Sequence, residues 1–259
     1  MQFNIHDYTP ELMNLSDEEY DHYLDELSGE LSEGEPFRWM IKGSIRNAVK
    51  PFGLNPHRDR LFQELIDHDL NRVVRDSLQN LTTLLPPPMN KFEVHILPAV
   101  DAKGGGASYA PGKILLCIQI DEFSPIRARR NTAHEYSHAI RMVQKPQDTK
   151  HGYGEAVPYS LRDYLVFEGL ASVLPEVLYP HDAFQPVEIT EARERDFWKS
   201  IDPEAIGMDA YIKYMTRVAY EIGAIIVRSY LKNENKTIIG AHSIDDEELY
   251  WKSGYPYIR

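Results

Sequence analysis

Apolar residues recur at helical spacing between Ser124 and Pro146, at Ile126, Ala133, Tyr136, Ile140 and Val143. A period near 3.6 predicts an amphipathic helix there. Ser124 serves as its N-cap, Pro125 as its first residue, and Lys145-Pro146 as its stop. A second helix is expected after Ser160, with Asp163 as capping partner, running into Tyr164–Ala171, which is apolar except at Glu168. A single helix is expected from Asp209 to Leu231, with Tyr211, Met215, Val218, Ile222 and Ile225 as its buried stripe. Another should run from His57 to Leu85, ended by Pro86-Pro87-Pro88. Phe92–Leu97 alternates apolar and polar residues and predicts a half-buried strand; Lys113–Ile120 predicts a second, and Lys103–Ala107 a turn before it. Near the start, Tyr20, Leu24, Leu27 and Leu31 mark a further amphipathic helix. The expected fold is α+β, a small mixed sheet packed on the Ser124 helix plus a mainly helical C-terminal lobe.

Charge divides this picture. The chain of 259 residues carries a net −12, and residues 1–36 hold eleven Asp or Glu with no Lys or Arg. We therefore expect an acidic leader over 1–36 and a domain over 37–259, with an α+β lobe to about 145 and a helical lobe from about 146. No apolar run approaches the roughly 18 residues of a membrane span, and Met1–Asp7 has no secretory pattern. Cys117, the single cysteine, can form no internal disulfide and falls in a strand pattern, so a cytoplasmic setting is expected. No basic stripe with interleaved aromatics suggests nucleic acid. The triple glycine 104–106 lacks the Gly-Lys-Ser/Thr of a phosphate loop.

The chemistry is concentrated in His134-Glu135-Tyr136-Ser137-His138. Residues four apart share a helix face, so the two imidazoles can converge on one zinc ion while Glu135, just off that face, serves as general base. A catalytic zinc needs a third protein ligand. A histidine six residues after the second is excluded, because Gln144 stands there and Arg141 stands where the turn glycine would be. Glu168 fits better, since a lone carboxylate in an apolar run is costly to bury unless paired or metal-bound. His151 and Glu155 are rival ligands. Gly169 beside Glu168 costs up to about 1 kcal/mol in a helix, which makes sense if another backbone packs close by.

Three segments together resemble a known family. They are the His134–His138 helix, Glu168-Gly169-Leu170-Ala171, and Tyr220-Glu221-Ile222-Gly223 running to Ile226-Val227. With the lead formed by Gly105, Gly106, Gly112, Ile114 and Leu116, they are similar to the bacterial family of predicted zinc-dependent proteases, of glutamate-zincin type. The resemblance spans roughly residues 58–231. It implies a zincin-like fold, one zinc ion on His134, His138 and Glu168, and Glu135 as base. It also implies a peptide or protein substrate paired along a strand near Gly105, Gly106 and Ala107, and Tyr220 as oxyanion donor. Relatives often carry an acidic residue at the position of Ser172, where it can orient a ligating His from outside; here either another group, such as Asp163 or a backbone carbonyl, orients the His, or zinc is bound less tightly. The alternative function is a non-catalytic zinc-binding regulator or sensor acting through the acidic leader.

Overall fold

Four strands, β1 (Gln2–Asp7), β2 (Lys91–Ala99), β3 (Gly106–Ala110) and β4 (Lys113–Gln119), form a sheet in the order β1-β2-β4-β3. β2 runs parallel to both β1 and β4, whereas β3 returns antiparallel on β4. The computed structural model describes residues 1–33, 35, 38–53, 55–99, 106–119, 123–144, 159–180 and 189–255. Two units divide the chain, Met1–Val143 and Gln144–Arg259, and the sheet belongs to the first.

In the first unit, alternation along the strands sorts side chains to two faces. Phe92, Val94 and Ile96 of β2 share a face with Ile114 and Leu116 of β4, and all five are fully buried. The helix α7 (Pro125–Gln144) packs on that face, with the Tyr136 ring stacked 5.3 Å from Phe92. The Tyr136 hydroxyl donates to the Leu85 carbonyl at 2.6 Å, which satisfies its buried oxygen. On the other face His95 stacks against His6 and Tyr8, and its Nδ1 lies 2.9 Å from the Tyr8 hydroxyl. The turn between β3 and β4 needs Gly112, whose φ of +70° is strained for any other residue, and an added Cβ would lie 2.6 Å from Met89 Sδ.

The acidic stretch is built into this unit. β1, in which Phe3 and Ile5 alternate with polar residues, pairs with β2, and no strand was expected there. After α1 (Thr9–Met13) comes α2 (Asp17–Ser32), which opens with a reciprocal Ser16/Glu19 capping box and buries Tyr20, Leu24, Leu27 and Leu31. Its acidic face meets cations of the same unit, in the pairs Asp17–Arg58 and Asp25–Lys50. A helical run follows, α3 (Arg38–Ser44), a π-helical turn (Ile45–Val49) and α4 (Lys50–Gly53). The helix expected over 57–85 is two helices, α5 (Arg58–Asp67) and α6 (Leu70–Leu84). Asp69 breaks it by taking a left-handed conformation, φ 46°, from which its carboxylate caps Arg72 N.

The second unit is helical, with α8 (Leu161–Leu178), α9 (Glu191–Ser200), α10 (Gly207–Tyr214), α11 (Arg217–Asn233), α12 (Ile238–Ala241) and α13 (Asp246–Lys252). Ser160 and Asp163 cap α8 reciprocally, as the spacing suggested. The expected helix over 209–231 is likewise broken, at Met215-Thr216, where Thr216 is extended. The buried face of α11 accordingly turns to Ala219, Ile222, Gly223, Ile226 and Val227, while Val218 and Ile225 are only half-buried. α8 and α11 touch backbone to backbone. A Cβ on Gly169 would stand 2.3 Å from the Gly223 carbonyl oxygen, and one on Gly223 2.2 Å from that of Leu165. Arg228 grips Glu176 across the same pair with two nitrogens. The architecture is α+β, and no helix among the described residues is long and apolar enough to cross a membrane.

Candidate metal centre

Within α7 the Ser124 hydroxyl accepts from Arg127 N, fixing the helix start, so His134 and His138 lie mid-helix one turn apart. Their rings stand nearly perpendicular, 4.7 Å apart, and the two Nε2 atoms face each other at 3.1 Å. Two nitrogens bound to one tetrahedral zinc at about 2.0–2.1 Å would lie roughly 3.3 Å apart. The spacing is therefore that of two ligands on one ion.

Glu135 is buried, at 4 % exposure, beside this pair in sequence. The Ser108 hydroxyl on β3 lies 2.5 Å from its carbonyl oxygen and 3.2 Å from its Oε2. Gly106 sits against it too: an added Cβ would meet Glu135 Cγ at 3.2 Å and the Leu115 carbonyl oxygen at 2.1 Å. A side chain at 106 would thus push on both the sheet and the carboxylate.

Glu168, on α8, is also 4 % exposed. Within the second unit the Tyr211 hydroxyl donates to its Oε1 at 2.9 Å, and the Tyr220 hydroxyl lies 2.9 Å from that of Tyr211. Burial above all, then Glu168 and Tyr220, pushes the Tyr211 hydroxyl far above the usual tyrosine range, so it stays a donor. One ligand atom each from His134, His138 and Glu168 falls within 4.8 Å of the others, a group that could hold a metal ion. No other set of three His, Cys, Asp or Glu among the described residues meets that spacing.

A family model described as "Predicted Zn-dependent protease (DUF2268)" matches residues 62–250. The chain belongs to this family. No curated protein and no solved structure matches it. The match to the predicted Zn-dependent proteases runs from α5 into α13 and includes all three residues of the group. Two imidazoles and a carboxylate are a donor set that suits the zinc on which this family is predicted to depend.

The remaining candidates are placed as follows. Gly106 and Ala107 lie on β3, and Gly105 lies outside the described residues, as do the rival ligands His151 and Glu155. Cys117 is buried in β4, and burial, with a lesser push from Glu135, raises its thiol to about 12, so it is inert as a nucleophile. Sequence reasoning missed Tyr211 as a partner of Glu168 and Ser108 as a partner of Glu135. A tyrosine in a predicted helix and a serine between Ala107 and Tyr109 carry no signal that tells them from packing residues.

Proposed function

We propose that this protein is a zinc peptidase of glutamate-zincin type, with His134, His138 and Glu168 as its ligands. The observation that carries the reading is the pair of Nε2 atoms facing each other at 3.1 Å with Glu168 in reach. When bound, zinc polarises a peptide carbonyl and acidifies a water molecule to near neutral pH. Glu135 takes the proton of the attacking water on its carboxylate and delivers it to the leaving amine nitrogen. Ser108 shares its one hydroxyl proton between the Glu135 carbonyl oxygen at 2.5 Å and Oε2 at 3.2 Å and so holds the residue in place, and the burial of Glu135 keeps bulk water from competing for the proton. Tyr220 donates to the tetrahedral oxyanion, its one proton turning from Tyr211 to the substrate at that stage. Gly106 and Ala107 offer the extended substrate the outer edge of β3, where main-chain hydrogen bonds bind a peptide with little regard to side chains.

The test is a peptide-library digest of protein with measured metal content, with and without chelator, beside Glu135→Gln. We expect one zinc per chain and chelator-sensitive cleavage. The variant should keep its zinc and lose about two to four orders of magnitude in turnover. Full activity in Glu135→Gln would remove the base from its role; one zinc per chain with no cleavage of any peptide would favour the regulator.

A further inference from the structure

Resting on the ligand assignment above, we infer that Tyr211 is the residue that positions Glu168 for the metal, and that Tyr220 holds Tyr211 in turn. A ligating carboxylate is held in place by hydrogen bonds from outside the ligand set.

Hydrogen-bond direction carries the argument. A tyrosine hydroxyl has a single proton and can also accept. The Tyr211 proton goes to Glu168 Oε1 at 2.9 Å, because a carboxylate can only accept. The contact between the two tyrosine hydroxyls must then run the other way, with Tyr220 donating to Tyr211. The order is Tyr220 to Tyr211 to Glu168, each step 2.9 Å and every proton accounted for.

The surroundings make this a rigid support. Residues of the loop before α10 pair with the start of α8: Leu161 N donates to the Ala205 carbonyl at 2.8 Å, and Gly207 N to the Tyr159 carbonyl at 3.0 Å. An antiparallel bridge joins Ser160 to Ile206 between them. The start of α10 is thereby fixed to the N-terminus of the helix that bears Glu168. The Tyr211 ring packs edge-on against Tyr164 of α8 at 4.9 Å. Tyr220 sits one turn before Gly223, the point of backbone contact between α8 and α11. Glu168 has three side-chain torsions to fix before it can serve as a ligand, and a hydroxyl anchored at both ends fixes them before the metal arrives.

The experiment is a zinc titration against a competing chromophoric chelator for wild type, Tyr211→Phe, Tyr220→Phe and Tyr164→Phe, together with the absorption spectra of the cobalt-loaded proteins. Tyr211→Phe keeps the ring and loses the donor, so its zinc affinity should fall about 10 to 100-fold, with altered cobalt bands. Tyr220→Phe should fall by less, and Tyr164→Phe, which keeps the hydroxyl order intact, should bind as wild type. Wild-type affinity and spectrum in Tyr211→Phe would overturn the inference while leaving the ligand assignment standing. A wild-type protein that binds no zinc would overturn both. Should Tyr211→Phe fail to fold, Tyr220→Phe decides: an unchanged affinity there rejects the order of donors.

Discussion

Adding one methyl group at two glycines should move stability in opposite directions. Gly223→Ala places a Cβ 2.2 Å from the Leu165 carbonyl oxygen, 3.1 Å from its carbon and 3.2 Å from Gly169 N, all of them backbone. Non-bonded carbon needs roughly 3.5 Å, so α8 and α11 must part by about an ångström. A gap of that size forfeits a quarter to a half of each contact well along the seam of Leu165, Ile222, Ile226 and Val227. Overpacking of this kind costs about 1–3 kcal/mol or more, against a helix-propensity gain of up to about 1 kcal/mol. We expect a net loss of about 2 kcal/mol, or a Tm lowered by roughly 4–8 °C in a protein of this size. Gly29→Ala is the matched control: it lies inside α2 with nothing within 4 Å of the new Cβ, so only the propensity gain remains and Tm should rise slightly. Thermal unfolding of the metal-free proteins by circular dichroism reads both. If both variants shift Tm the same way, the backbone contact between the two helices is not what excludes a side chain there.

The remaining predictions test single contacts. Burial, partly opposed by Glu93, lowers the His95 imidazole to about 4, with His6, Tyr8, Tyr109 and Lys113 around it. Because the folded value lies below the usual 6.5, the unfolded chain takes up a proton that the folded one refuses, and stability falls as pH drops from 6.5 toward 4. The loss should approach about 3 kcal/mol over that window; urea titrations of wild type and His95→Gln should diverge there, and parallel curves would refute it. Ser160→Ala removes the hydroxyl that accepts from Asp163 N, while the Ser160 N–H keeps the Asp163 carboxylate, and should cost about 1 kcal/mol in the same titration. Ser108→Ala should leave zinc content unchanged and lower kcat about tenfold on any peptide the protein cleaves, by releasing Glu135.

The residues that were legible in sequence are those whose spacing carries the physics. The Ser124 cap, the four-residue step from His134 to His138 and the Ser160 box are local, and each appears as the pattern required. Glu168 stood out because an acid in an apolar run demands a partner, and Gly169 because nothing local to its helix calls for a glycine. Chain breaks were not legible: Asp69 and Thr216 end helices through backbone conformations that their neighbours' periodicity conceals. β1 stayed hidden because its partner lies some ninety residues away and its alternation rests on Phe3 and Ile5 alone. The Tyr211 contact was hidden among sixteen tyrosines, since only tertiary packing decides which hydroxyl meets the carboxylate.

The parallel pairing of β1 with β2 also bears on synthesis. A parallel partner cannot come from a tight hairpin, so β1 must wait for Lys91–Ala99 to leave the ribosome. At ordinary elongation rates that interval is on the order of 5 to 20 seconds. Through it the growing chain holds β1 without its neighbour, in a stretch, residues 1–36, with eleven Asp or Glu and no Lys or Arg. Like charge of that density disfavours edge-to-edge pairing, so neutralising these carboxylates should raise self-association of unfinished chains.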